Sequence, residues 1–401
     1  MPDPIQFSRL DNAVRVVSCH LPHNHSVMFS LWLQSGARHD PPNQLGLAHL
    51  YEHLLYAWLE EQPSIRRYLQ NGAKLNAQCG RELTAVFGQC LSEQAPHLIG
   101  TLLRAFLNTD LRAWPIEAET KVIANENAWN RMREDDLEQI IAAHVWQGQA
   151  LANPILGDEN HLATIQPGDV TTYHNTLLRG PNITVAATGA IEQEQLLEAT
   201  AALSELPGPD SPLWVKPEPL TMYHPPKLSW RSESELARML WVYPAPPFAQ
   251  DDRLRAHLLN AAYTEAMQCG LGYRMSRAGL NYALRGEVHS YSDGGFWFIA
   301  SECQRRDMQA CLAAFDQFGD DLLAEKIPDS LAMGRRNLVT HWAMEHDDMY
   351  RLLEQISLQA IYKDNAYSLA DIEQALSAQH DAQLFGLLKR LFSQAGYMRW
   401  S

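Results

Sequence analysis

The sequence predicts an α+β protein built from two similar halves, on three observations. Short runs rich in β-branched and aromatic residues alternate with stretches of helical period. A proline-rich stretch parts them near the middle, and the order of elements ahead of it returns in outline behind it. At roughly 150 residues per domain, 401 residues suit about two or three domains.

Val14–Cys19 and Val27–Leu33 read as strands. Leu21 to His25 between them has turn composition without a helical period, so the two strands are expected to pair as a hairpin. Beyond Pro41-Pro42-Asn43, the residues Leu47, Leu50, Tyr51, Leu54, Leu55 and Trp58 recur at three- and four-residue steps, which predicts a helix over 47–61 with one buried face. A strand pair is expected at Leu75–Cys79 and Thr84–Cys90, helices over 92–107, 116–146 and 192–204, and a buried strand at Ile183–Thr188. Pro207, Pro209, Pro212, Pro217, Pro219, Pro225 and Pro226, with no sustained apolar period among them, mark a linker. The expected division is therefore a first domain over 1–206, a linker over 207–226 and a second domain over 227–401. In the second, a strand at Ala237–Tyr243, a helix near 251–268, strands near 282–290 and 295–302 and helices from Met308 onward repeat the earlier order. They read as a divergent copy, not as short solenoid repeats.

Apolar residues make up 46% of the chain and charged residues 20%, which excludes a disordered or fibrous protein. The formal charge of −15 argues against a nucleic-acid backbone as the main partner. No stretch approaches the roughly 18 apolar residues of a bilayer span, and Met1-Pro2-Asp3-Pro4 leads into no apolar run, so no membrane partner is expected. Cys19, Cys79, Cys90, Cys269, Cys303 and Cys311 lie far apart without a C-x-x-C pair. Neither a disulfide framework nor a cysteine zinc site is expected, and a reducing cytoplasm fits.

His49-Leu50-Tyr51-Glu52-His53 has the H-x-x-E-H pattern of inverted zinc peptidases, and it falls inside the predicted helix. Two histidines four residues apart lie on one helical face one turn from each other, so both imidazoles reach one ion at about 2.0–2.1 Å. Glu52, beside His53 and not needed as a ligand, is placed to take a proton from a water that the ion acidifies to a pKa of about 7. With 16 histidines in the chain, such a five-residue match also arises by chance in some sequences.

A catalytic zinc needs a third protein ligand and one open position. Glu126 is the candidate. Pro115 suits the first turn of a helix, and Glu119 and Glu126, seven apart, share one face two turns from each other. One of the two would bind the ion while the other orients or tunes it from behind the ligands. The same spacing also suits two solvated surface carboxylates, and spacing does not choose between these readings.

With the fragments around them, these residues resemble the pitrilysin/insulinase family of zinc metallopeptidases, whose short two-domain members include the mitochondrial processing peptidase and pyrroloquinoline quinone biosynthesis protease subunits. The resemblance spans nearly the whole chain. It rests on Leu10-Asp11-Asn12, Gly46-Leu47-Ala48-His49 through His53, Leu75-Asn76-Ala77, the Glu119 and Glu126 pair, Asn153-Pro154-Ile155-Leu156-Gly157, and Pro181-Asn182 ahead of a strand ending in Gly189. It implies two homologous α/β-sandwich-like half domains, each a mostly antiparallel sheet covered by helices. It implies zinc ligands His49, His53 and Glu126, a general base at Glu52 and a supporting carboxylate at Glu119.

The resemblance further implies that a peptide substrate adds as a strand to the edge formed by Leu75 to Cys79, with Asn76 and Ala77 at the scissile end. Such pairing needs an extended, unfolded chain and reads few side chains. In the family an Arg and a Tyr seven residues apart, in the C-terminal half, bind the substrate and stabilise the oxyanion. Gly279-Leu280-Asn281-Tyr282 matches the Tyr end, which implies that role for Tyr282. Met275 stands seven before it, however, and the nearest cations are Arg274 and Arg277. Either a neighbouring arginine substitutes, or another subunit supplies the function.

The activity so implied is that of a zinc-dependent endopeptidase acting on unfolded peptides or peptide precursors, ribosomally made and modified peptides among them. Full-length members close four such halves into a chamber and this chain provides two, so a dimer is expected. The departure at Met275 favours a heterodimer with a related subunit. The alternative is a non-catalytic peptide-binding or assembly subunit of the same fold. A carboxylate base beside two ligands, which a binding subunit does not need, counts against it.

Other clusters carry no chemistry. His20, His23 and His25 sit on a turn without a carboxylate. His341 and His346 are five apart, an advance of about 500° that leaves their rings about 140° from each other. His257 occupies a place like that of the motif helix but lacks a base and a second ligand, and Gly270-Leu271-Gly272 is not a full nucleotide-binding glycine motif.

Overall fold

Two large apolar cores organise the chain, one against each of two sheets. The computed structural model describes residues 5–110, 116–133, 136–209, 223–231, 234–266, 269–280 and 283–400. It divides into one unit of Met1–Glu218 with His346–Ser368 and another of Pro219–Glu345 with Leu369–Ser401.

The first unit holds strands β1 (Ile5–Arg9), β2 (Arg15–His20), β3 (Ser26–Leu33), β4 (Lys74–Cys79), β5 (Thr84–Leu91) and β6 (Ile183–Gly189), in the spatial order β1-β2-β6-β3-β5-β4. Every neighbouring pair is antiparallel except β2 with β6. The hairpin expected of Val14–Cys19 and Val27–Leu33 does not form, because β6 lies between the two strands, with Ser18 and Phe29 both facing Ala187. β6 is buried along its whole length, so its backbone groups need partners on both edges and take them from β2 and β3. β4 is left at the rim of the sheet.

Among the described residues of the first part of the chain, eight helices accompany this sheet: α1 (Leu47–Glu61), α2 (Pro63–Gln70), α3 (Ala95–Leu107), α4 (Ile116–Arg133), α5 (Leu137–Val145), α6 (Glu159–Leu162), α7 (Pro167–Leu177) and α8 (Gln193–Ala199). The period-bearing face of α1 does what the sequence predicts. Leu47, Leu50, Tyr51, Leu54 and Leu55 are buried in one cluster with Phe29, Leu31 and Val86 of the sheet and Leu98 and Leu102 of α3. The helical run expected over 116–146 is two helices. The Asp136 carboxylate accepts from Gln139 N at 2.9 Å and starts α5 afresh, as an N-cap does.

The second unit repeats the plan with β7 (Lys227–Trp230), β8 (Leu236–Ala245), β9 (Ala283–Ser290), β10 (Gly295–Gln304) and β11 (Gly396–Trp400) in the order β7-β11-β8-β10-β9. Its helices are α9 (Asp252–Thr264), α10 (Leu271–Arg277), α11 (Met308–Leu323), α12 (Pro328–Glu345), α14 (Leu369–Ser377) and α15 (Asp381–Phe392). The run β8-β10-β9, with α9 between β8 and β9 in the chain, has the connectivity of β3-β5-β4 with α1 between β3 and β4. Both halves are thus mostly antiparallel sheets covered by helices.

One helix crosses the expected division. α13 (Met349–Lys363) falls within the stretch 227–401, yet it packs on the first sheet, where Leu352, Leu353, Ile356 and Ala360 cluster with Val17, Cys19 and Ala186. Side chains of a strand alternate between faces, so β2 and β6 carry apolar residues on the side away from α1, and α13 covers them. Of the expected linker, residues 210–222 lie outside the described residues. No helix among the described residues is long and apolar enough to cross a membrane, and the described cysteines form no disulfide.

Candidate metal centre

The start of α1 is built by three residues that bear no ligand atom. Gly46 has φ of +100°, and a side chain there would also lie 2.8 Å from the Gly157 Cα, so glycine is required on both counts. Gly46 brings no cap of its own. The buried Asp40 carboxylate supplies one, accepting from Gly46 N at 2.7 Å and Ala48 N at 2.8 Å, which satisfies amides that a first helical turn otherwise leaves unpaired. Burial pushes the Asp40 carboxyl up to about 7, against the pull of those two amides. Farther along, the buried Tyr51 hydroxyl lies 2.9 Å from His174 Nδ1 on α7, which fixes the roll of α1 from the side away from the motif histidines.

That roll brings His49 and His53 together at one rim, with ring centroids 4.7 Å apart and planes at 87°. α4 runs past them and contributes Glu126, whose Oε2 lies 3.6 Å from His49 Nε2 and 3.6 Å from His53 Nε2. The chemistry of the donor set suits zinc. Ligands at about 2.1 Å around a tetrahedral ion lie about 3.4 Å from each other, close to the separations seen here. Burial, with His53 adding to it, lowers His49 to about 3, so its imidazole is neutral and free to donate a lone pair.

Two further carboxylates complete the cluster. Glu119, two turns before Glu126 on α4, places an oxygen 3.2 Å from His53 Nδ1. Glu52 reaches the same rim with its Oε2 3.8 Å from His49 Nε2 and 3.9 Å from His53 Nε2. Burial raises the Glu52 carboxyl to about 7; His53 opposes this, and Glu126 and Glu119 add to it. Of the three carboxylates at the rim of α1 and α4, Glu52 is buried while Glu126 is 42% exposed at its side chain.

The remaining expected residues fall on other elements or outside the described residues. Asn76 and Ala77 stand on the rim strand β4, where the Asn76 Oδ1 accepts from Ala77 N at 2.9 Å. Arg274 and Arg277 lie on α10 of the second unit. Arg274 reaches Cys269 O at 3.2 Å and Asp321 Oδ2 at 3.4 Å, and Met275 between them is buried in the second core. Tyr282 and Asn281 lie outside the described residues. The decoys have other partners: His20 Nδ1 is 2.9 Å from Ile191 O, His341 is 3.3 Å from Glu345, and His346 is 2.7 Å from Gln355. Asp40 and the Tyr51–His174 pair are the supporting groups that sequence reasoning did not single out. For Asp40 a signal existed, an acidic residue shortly ahead of a helix that opens on glycine.

An α+β protein of two like halves, one of them carrying a His-His-Glu cluster on two helices, is therefore the class that the fold and site define. Residues 15–159 match the family described as Insulinase (Peptidase family M16), and residues 164–332 match the Peptidase M16 inactive domain. The chain belongs to peptidase family M16. The first match contains His49, Glu52, His53, Glu119 and Glu126. The beta subunit of the mitochondrial-processing peptidase of Lentinula edodes is 27% identical over 216 residues, 52% of this chain and 46% of that relative. Its human counterpart is 23% identical over 369 residues, 87% of this chain and 74% of the relative. Against the first of these relatives, the match spans less than half of the relative's length. A solved protease from Helicobacter pylori shares the fold, with a TM-score of 0.83 at 14% identity over 99% of each chain.

Proposed function

We propose that this chain is a zinc-dependent endopeptidase that cleaves unfolded peptides or peptide precursors in a chamber formed with a partner subunit. The observation that carries this reading is the meeting of two imidazole nitrogens and the Glu126 oxygen at 3.6 Å, with the Glu52 carboxylate beside them. His49, His53 and Glu126 would hold the ion, and Glu119 would orient His53. Bound zinc supplies a Lewis acid that polarises the scissile carbonyl and acidifies a water.

The chain's own residues do the rest. β4 offers the free edge of a sheet, so an extended peptide can pair with its backbone, with Asn76 and Ala77 near the bond to be cut. Glu52 takes a proton from the attacking water at its carboxylate and returns it to the departing amine nitrogen, so that one group serves as base and then as acid. Its carboxyl, raised to about 7 by burial, is matched to both roles near neutral pH. Arg274, Arg277 and Tyr282 would serve the substrate from the second half. The dimer, with a preference for a related but different subunit, is a proposal that the beta-subunit relatives support by name. A reducing compartment such as the cytoplasm is part of the same proposal.

The rival is a peptide-binding or assembly subunit without activity, and the intact Glu52 beside three ligand groups counts against it. Glu52→Gln decides between them. Expected is unchanged zinc content with peptide cleavage reduced by about 100-fold or more. Equal turnover by wild type and variant in a zinc-replete assay would remove the mechanism.

A further inference from the structure

The segment Asn153-Pro154-Ile155-Leu156-Gly157 supplies no ligand and no base, yet it meets three parts of the candidate site. At its far end Gly157 packs on Gly46, so closely that a side chain on Gly157 would lie 2.4 Å from the Gly46 Cα, and Asp158 N donates to Leu45 O at 3.2 Å, just ahead of α1. In its middle, Leu156 O accepts from Asn127 Nδ2 at 3.2 Å, one residue past Glu126 on α4. At its start, Asn153 O accepts from Arg81 Nη1 at 3.1 Å, in the connection between β4 and β5. The Arg81 guanidinium is buried, and it also donates to Leu151 O, to Gln139 Oε1 and to Glu138 Oε1, each at 2.9 Å. The backbone around it is held as well: Gly80 O accepts from Ala37 N at 3.0 Å and Arg81 O from Arg38 N at 2.8 Å. β4 ends at Cys79, so Asn76 and Ala77 precede this anchor by five and four residues on a paired strand. A shift at Arg81 is therefore passed along the strand to Ala77.

We propose that Arg81 is a positioning residue of the reaction, which sets where a peptide paired with β4 lies against the cluster of His49, His53 and Glu126. This inference rests on the peptidase reading and adds the group that registers substrate against metal. Two frames have to agree in such a site, the strand that holds the peptide and the helices that hold the ion. The stretch from Leu151 to Asp158 is bonded to both, through Arg81 on one side and through Asn127 and Leu45 on the other. An error of about 1 Å between reacting atoms costs roughly 100-fold in rate. The planar fork of a guanidinium fixes several acceptors in direction at once, which the ammonium of a lysine does not. Stability alone is a poor reason to bury such a charge, because its desolvation offsets much of the attraction its partners return.

The test compares wild type, Arg81→Lys, Gln139→Leu and Gln139→Glu as full chains with zinc bound, together with any subunit that co-purifies, on one unstructured peptide. Mass spectrometry identifies the bonds cut, and rates are counted per bound zinc, so that loss of folded protein drops out. Arg81→Lys is expected to lower kcat by about 10- to 100-fold, with KM and zinc affinity within about threefold of wild type, and to spread the cut to neighbouring bonds. Gln139→Leu removes one acceptor of the fork and should do the same to a smaller degree, whereas Gln139→Glu keeps an acceptor and should cut as wild type does. Both losses act through one contact, so the double variant of Arg81→Lys and Gln139→Leu should fall short of the product of the single effects. An Arg81→Lys protein that cuts the same bonds at the wild-type rate per zinc, with only a lower thermal midpoint, would overturn the inference and leave the peptidase reading intact. Should Arg81→Lys fail to fold, the Gln139 variants decide, and equal kcat and cutting pattern in both would overturn it. A wild type that holds zinc and cuts nothing brings down the peptidase reading and this inference with it.

Discussion

The Glu119 carboxylate lies 3.2 Å from His53 Nδ1, and His49 has no such support among the described residues, where its own buried Nδ1 finds no hydrogen-bond partner. The two imidazoles of the cluster are therefore unequal. Glu119 holds the proton of His53 on Nδ1 and leaves Nε2 turned toward Glu126, while His49 keeps its orientation by burial. Glu119→Ala is expected to weaken zinc binding by about 10- to 100-fold, read by competition with a chelator of known affinity. Glu126→Ala, which removes a donor outright, should weaken it further. Equal affinity in wild type and Glu119→Ala would show that the carboxylate does not orient the ring.

Metal removal should register in stability as well as in turnover. The three donor groups come from α1 and α4, so an ion held by them ties the two helices together in the folded state only. Zinc at about 100 times its dissociation constant is expected to add about 2.7 kcal/mol to the first unit, seen as a higher thermal midpoint than in chelator. The increment should vanish in Glu126→Ala. A wild-type midpoint indifferent to zinc would mean that the cluster does not bind it.

The local parts of this arrangement were legible in the sequence, and the long-range parts were not. α1 spans Leu47–Glu61, as its apolar period predicts, because that period and the prolines before it are written within the helix itself. The spacing of His49, Glu52 and His53 is equally local. Glu126 is different: its side chain is 42% exposed, so pattern alone could not separate it from a solvated carboxylate, and only the path of α4 brings it to the histidines. The false hairpin of β2 and β3 has the same origin. An apolar run announces a strand but not its neighbours, and β6 arrives between them from more than 150 residues away. Tyr282 and the linker at 210–222 lie beyond such comparison, outside the described residues.

Asp40 acts on α1 from outside the helix, and its removal should be felt at the histidines. Asp40→Ala leaves two buried amides without their acceptor and is expected to cost about 1–3 kcal/mol, with looser zinc binding as a second readout. Its titration gives a further check. Burial raises the folded-state value to about 7 from an ordinary value near 4, so the folded form binds the proton more tightly than the unfolded form. The contribution is full below about pH 4 and is lost as pH rises toward about 7. Urea unfolding in chelator across this range should therefore show wild type losing more stability with rising pH than Asp40→Asn. Parallel curves for the two proteins would contradict the assignment.

The dependence of the first sheet on α13 makes a prediction about the division of the chain. Ile356 is fully buried where α13 meets Val17 and Ala186, although it belongs to the part of the sequence that repeats the first half. Ile356→Ala should destabilise the first unit by about 2–5 kcal/mol, measured by denaturant unfolding. Thr188 Oγ1 also donates to Met349 O at 3.2 Å, and Tyr350 donates to Gln78 on β4 at 3.0 Å, so the helix is pinned to the sheet near its start as well as through its apolar face. A fragment ending before residue 210 would expose Val17, Cys19 and Ala186 to water and is expected to aggregate. The same fragment joined through a flexible linker to residues 346–368 is expected to stay in solution. A soluble, cooperatively folding fragment without α13 would show that the sheet does not need this cover.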